Sequence, residues 1–120
     1  MARRSLLFVL ILIPGIVLAQ SQFAGKWQTR TSKLTGKSAI TVNIAIVEGN
    51  VKGTVVLLDP HSEIEMPMVN LRLNKGALEF ETTDRNDTFY WHLTMRGKRK
   101  GFLHGSMHEM LIDERVVKAR

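Results

Sequence analysis

Histidine is the side chain best suited to chemistry near neutral pH, as a proton carrier or as a neutral metal ligand, and this 120-residue chain has four. His92, His104 and His108 share one phase of a two-residue alternation. A hairpin centred near Lys98 sets His92 opposite His104, within reach of one transition-metal ion. His108 falls about 13 Å along the strand from His104, too far to share that ion. The chain has no cysteine, and no carboxylate is spaced to complete a four-ligand set, so no metal site is expected. Ser106 stands between His104 and His108, but residues two apart on a strand are about 7 Å apart, which does not make a hydrogen-bonded nucleophile and base. The acid pairs Glu63 with Glu65 and Glu79 with Glu81 lie on faces that read as wet, whereas acid–base catalysis needs a buried carboxyl of raised pKa. No catalytic residue, no cofactor and no enzymatic activity are expected.

The densest charge cluster is Arg96, Lys98, Arg99 and Lys100, four cations in five residues at a hairpin tip. Such a loop attracts phosphates, lipopolysaccharide or acidic headgroups electrostatically, and it is the candidate contact for an anionic surface or envelope partner. The competing reading is a solvated turn. Asn86-Asp87-Thr88 has the form of an N-glycosylation acceptor in a loop.

These residues must be positioned by short strands, because two-residue alternation broken by turn residues dominates the chain from Gly25 onward. Strands are expected at 25–30, at 38–47 with Ile40, Val42, Ile44 and Ile46 on one face, and at 51–58 after the turn Glu48-Gly49-Asn50. Asp59-Pro60-His61-Ser62 ends the third. The fourth is irregular: Met66 and Met68 share one phase, Val69, Leu71 and Leu73 the other, and Pro67 lacks a donor, so a bulge near Pro67 or Met68 is expected. Asn74-Lys75-Gly76 leads to 77–82, and Asp84 to Asp87 leads to the aromatic strand 88–96, with Phe89, Trp91, Leu93 and Met95 on one face. Strands at 101–109 and 113–120 follow. Eight antiparallel strands in up-and-down order predict an all-β fold, either a small eight-stranded barrel or a strongly curved meander sheet.

Residues 1–19 read as a signal peptide, with basic Arg3 and Arg4 before the charge-free run 5–19 and small Val17 and Ala19 ahead of a cleavage point at Gln20. That run is short for a spanning helix and is broken by Pro14-Gly15, so no stable membrane anchor is expected after cleavage. The remainder, 20–120, reads as one exported domain, periplasmic or extracellular, stabilised by burial rather than disulfides. Of 17 lysines and arginines, 15 follow residue 19 against 11 acids, a net charge of +4. Charges of both signs are spread along the chain, which argues against a nucleic-acid partner.

Gly25-Lys26-Trp27 opening the first strand of an eight-strand meander, with Arg115 and Arg120 at its far end, resembles the lipocalin and avidin-like (calycin) β-barrel superfamily. The resemblance implies that Trp27 plugs one barrel end, that Arg115 or Arg120 packs across its ring, and that a small apolar ligand sits inside. Its lining would include Val55, Leu71, Phe80, Phe89, Trp91 and Leu93. The second lipocalin motif, around Thr-Asp-Tyr, is missing. The alternative is a non-enzymatic interaction module with a solid core and no internal ligand. Gly53, Gly101 and Gly105 lie in strands, relieving curvature or making room. Val56, Leu58, Tyr90 and Phe102 fall on the outward phase as candidates for an apolar surface patch. Trp91, in mid-strand, is expected to be buried more deeply than Trp27.

Overall fold

A computed structural model describes residues 21–31, 38–59 and 61–120. The expected signal peptide, 1–19, lies outside them. Nine antiparallel strands form one sheet: β1 (Gly25–Gln28), β2 (Ile40–Val47), β3 (Asn50–Asp59), β4 (Ser62–Pro67), β5 (Val69–Asn74), β6 (Ala77–Asp84), β7 (Asp87–Met95), β8 (Lys100–Met107) and β9 (Met110–Lys118). Their spatial order is β4-β3-β2-β1-β9-β8-β7-β6-β5. The fold is thus two up-and-down meanders, β1 to β4 and β5 to β9, whose inner strands β1 and β9 pair. Among the described residues, no helix is long and apolar enough to cross a membrane.

The turns form where the sequence predicts them. Glu48-Gly49 and Lys75-Gly76 both take positive φ, 53° with 80° and 52° with 81°, as two-residue hairpin turns of primed type require. The single fourth strand expected from the sequence is instead two, which raises the count from eight to nine and leaves the sheet unclosed by hydrogen bonds. β4 pairs with β3 and ends at Pro67 opposite Thr54, where the missing N–H stops the ladder. Met68 N then donates to Gly53 O at 2.9 Å, and the chain leaves β3 to pair with β6 as β5. A register shift between Val69 and Arg72, with Asn70 at φ 54°, completes the crossing. One continuous segment therefore supplies both outer edges, and β4 packs against β6 across the curled sheet. Glu63, Glu65 and Pro67 on β4 make that edge a poor template for further strand pairing.

Alternation delivers the core. Val42, Val55, Leu78, Phe80, Trp91, Leu93, Leu103 and Val116 are all at most 2 % exposed. Trp91 stacks between Phe80 (centroids 6.4 Å apart) and Phe89 (5.7 Å), and its indole N–H donates to Thr82 Oγ1 at 2.8 Å. Trp27 is as deeply buried as Trp91, at 0 % against 2 % exposure, so the expected ranking of the two does not hold. Phe23 supplies the reason: it is buried, and its carbonyl accepts the Trp27 indole N–H at 2.8 Å.

The in-strand glycines sit where a side chain has no room. A Cβ on Gly105 would lie 2.7 Å from the Trp91 ring, one on Gly53 would meet Asn43 O and, at 2.7 Å, Met68 Sδ, and one on Gly101 would meet Thr94 O at 2.5 Å with the Trp27 ring at 3.4 Å. Gly105→Ala should therefore overpack the core and cost about 1–3 kcal/mol. Gly97→Ala, where a Cβ meets nothing within 4 Å, should stay within about 0.5 kcal/mol. Urea denaturation of both variants checks this, and equal stabilities would refute the packing assignment.

Candidate anion-binding seam

β1 and β9 share only two register pairs, Trp27 with Lys118 and Gln28 with Val117. Ala119 N adds a bond to Lys26 O at 2.8 Å. Side chains reinforce this short seam. A Cβ on Gly25, whose φ is 136°, would lie 2.9 Å from Lys118 Cδ, so the absent side chain leaves a track for the Lys118 stem. The Lys118 ammonium sits 4.9 Å from the Trp27 ring centroid and donates to Gln22 O at 2.8 Å. Arg99 Nε and Nη2 both donate to Lys118 O, at 3.1 and 2.7 Å. Burial, and secondarily the charge of Arg99, hold the Lys118 pKa below the ordinary lysine value.

The cation over Trp27 is thus Lys118, and neither Arg115 nor Arg120 takes that role. Side-chain parity explains it. Val116 and Lys118 share the inward phase of β9, while Arg115 is on the outward phase and Arg120 lies beyond the strand end. Arg115 instead places its guanidinium 5.9 Å from the Phe102 ring, which Arg96 covers at 4.3 Å from the other segment. Stacking of this kind holds a guanidinium in place by its face and leaves the N–H edges directed outward.

Beyond Gln28 the seam opens. Thr29 N bonds to Ile40 O at 3.1 Å, and Thr31 bridges to Ser38, so this stretch follows β2 and parts from β9. The resulting hollow, about 370 Å³, is lined by Arg30, Thr31, Arg99, Arg115 and Val117, with the Lys118 segment at its base. Residues 21–30, 94–103 and 115–120, which run side by side here, carry nine lysines and arginines and no aspartate or glutamate. Three arginines lining one hollow that has no aspartate or glutamate in its lining make it a candidate site for phosphate-like or carboxylate anions. The structure brings together Arg99, Arg115 and Lys118 around this hollow, while Arg96 and Lys98 stay on the β7–β8 turn and Lys100 opens β8 opposite Val117. Arg30 and Lys118 were not singled out in the sequence, and their signal was the missing acids in those three segments.

The residues expected to line a ligand space lie in the packed core. Val55, Phe80, Phe89, Trp91 and Leu93 are buried, and Leu71 is half-buried against them. The outward apolar residues do not form one patch: Val56 and Leu58 lie on β3, Tyr90 and Phe102 on β7 and β8, with β2, β1 and β9 between. Met66 and Met68 point into the core.

The histidine geometry follows the predicted hairpin. His92 pairs with His104 in register, ring centroids 6.0 Å apart. They belong to an outer-face row, Arg72–Glu79–His92–His104–Asp113, running across five strands. Its ends are closed by contacts of 2.9 Å from Arg72 Nε to Glu79 Oε1 and 3.1 Å from His104 Nδ1 to Asp113 Oδ1. The Arg72 hydrogen bond lowers the Glu79 pKa. His108 is at a separate turn, 3.1 Å from Asp87. Among the described residues, no three histidine or acid side chains are grouped to hold a metal ion.

Lys118 gives the seam a titration signature. Charging it is harder in the folded than in the unfolded chain, so this group withholds stability at neutral pH and restores it as pH rises through its lowered folded value. In an NMR titration Lys118 should deprotonate below the ordinary lysine value, and Arg99→Ala should raise its midpoint only in part, since burial is the larger cause. An ordinary midpoint for Lys118 would refute the seam geometry. Compared with known proteins, the chain matches no family model, no curated protein and no solved structure.

Proposed function

We propose that this chain is an exported, non-enzymatic β module that binds a phosphate-bearing or otherwise anionic partner through the β1–β9 seam and holds no ligand in its interior. The observation that carries this reading is that Arg30, Arg99 and Arg115 line one hollow whose lining includes no aspartate or glutamate. The filled interior supports the second half of it, since Gly53, Gly101 and Gly105 face Met68, Trp27 and Trp91 at contact distance. Export remains the reading of residues 1–19 by their sequence pattern. The likeness to lipocalin and avidin-like proteins stays a proposal about ancestry, supported by Gly25, Trp27 and a late basic residue over the indole. Apolar-ligand carriage is not carried over with it, because Trp27 and Trp91 fill the core beside Gly101 and Gly105.

Titration with inorganic pyrophosphate, followed by Trp27 emission through its contact with Lys118, tests the reading. Saturable binding is expected, and Arg30→Gln and Arg115→Gln should each weaken it about tenfold, which corresponds to about 1.4 kcal/mol. A panel of hydrophobic fluorophores should leave both tryptophans unchanged. No response to pyrophosphate would overturn the anionic reading, and stoichiometric uptake of an apolar probe would restore the internal-ligand alternative.

A further inference from the structure

We infer that the anionic partner is a membrane: the cationic rim around the seam docks on anionic phospholipid headgroups, and the domain sits on the bilayer that residues 5–19 enter. The inference rests on the anion-binding reading of the seam and names the source of the phosphates. It starts from where the chain joins the body. Gln22 O accepts from Lys118 Nζ at 2.8 Å, Ala24 N donates to Ser21 O at 3.0 Å, and Phe23 is buried in the core. Ser21 and Gln22 line a hollow of about 630 Å³ together with Gly97, Lys98 and Lys118 of the basic rim. The apolar, charge-free run 5–19 ends at Ala19, two positions before Ser21. Two residue steps span at most about 7 Å. Whenever residues 5–19 occupy hydrocarbon, the rim with Lys98 and Lys118 is therefore held at headgroup level.

Charge then gives the domain a preferred orientation. Among the described residues, the turns at the opposite end of the strands carry Asp59, Asp84, Asp87 and Glu109 with Arg85, whereas the rim end has Glu48 on its β2–β3 turn against Arg96, Lys98, Arg99, Lys100 and Lys118. An anionic surface attracts the first end and repels the second. Every rim cation follows residue 20, so cleavage after Ala19 leaves the docking charge intact. Val117, 52 % exposed among the cations, adds an apolar contact at the interface.

The test uses residues 20–120, which contain all nine strands, and sedimentation with vesicles of phosphatidylcholine alone or mixed with phosphatidylglycerol. Binding is expected only to the mixed vesicles. It should be lost between about 0.1 and about 1 M salt as the Debye length shrinks from ~10 to ~3 Å. Lys98→Glu should weaken it about tenfold or more, whereas Arg85→Glu, an equal charge change at the far end, should leave it unaltered. Equal binding to neutral vesicles, or equal loss in both variants, would overturn the inference. Pyrophosphate binding without vesicle binding would overturn the membrane assignment alone, and failure of both would overturn the anionic reading as well.

Discussion

Two register pairs, Trp27 with Lys118 and Gln28 with Val117, join the two meanders into one sheet, and the rest of the architecture depends on that seam. Each meander is held by local hairpins with long registers. The seam has almost none of that ladder and is reinforced by side chains. Gly25 provides the track for the Lys118 stem, Trp27 lies beneath its ammonium, and Arg99 grips its carbonyl. Cation–π contacts of this kind contribute from about 0.5 kcal/mol when exposed to about 2 kcal/mol when desolvated. Together with two charge-assisted hydrogen bonds, they offset a short ladder. The same arrangement gathers cations where β1 and β9 part, so the reinforcement of the fold and the proposed anion receptor share residues.

The filled interior is the reason the proposed function is placed on the surface. A small curled sheet leaves room for side chains or for one small ligand, but not both. Here two indoles take that room, each facing a glycine of β8. Both indole N–H groups have buried partners, Phe23 O and Thr82 Oγ1. A ligand would have to displace one of these rings and leave its partner unsatisfied, at a cost of about 1–3 kcal/mol for the polar group alone.

Much of the fold was legible from alternation and turn chemistry, because a half-buried strand shows its pleat directly in residue type. The clean phases of Ile40 to Ile46 and Phe89 to Met95, and the turns at Glu48-Gly49 and Lys75-Gly76, appear in the structure as read. The irregularity at Pro67 and Met68 was visible too, but a period cannot say which strand a segment pairs with, so one bulged strand became two edges. The site was harder to read. Lys118 and Arg115 differ by parity on one strand, and their phase became clear only with the burial of Val116. The cations looked dispersed because chain order separates Arg30, Arg99 and Arg115, which pairing through β1, β9 and β8 brings side by side.

The central claim, that the fold-joining seam is also the anion receptor, is tested most directly by mapping backbone amide shifts as inorganic pyrophosphate is added. The account predicts changes confined to residues 28–31, 99–101 and 115–118, with the histidine row at Glu79, His92, His104 and Asp113 unmoved. Shifts centred on that row, or on core positions such as Phe80 and Trp91, would contradict it.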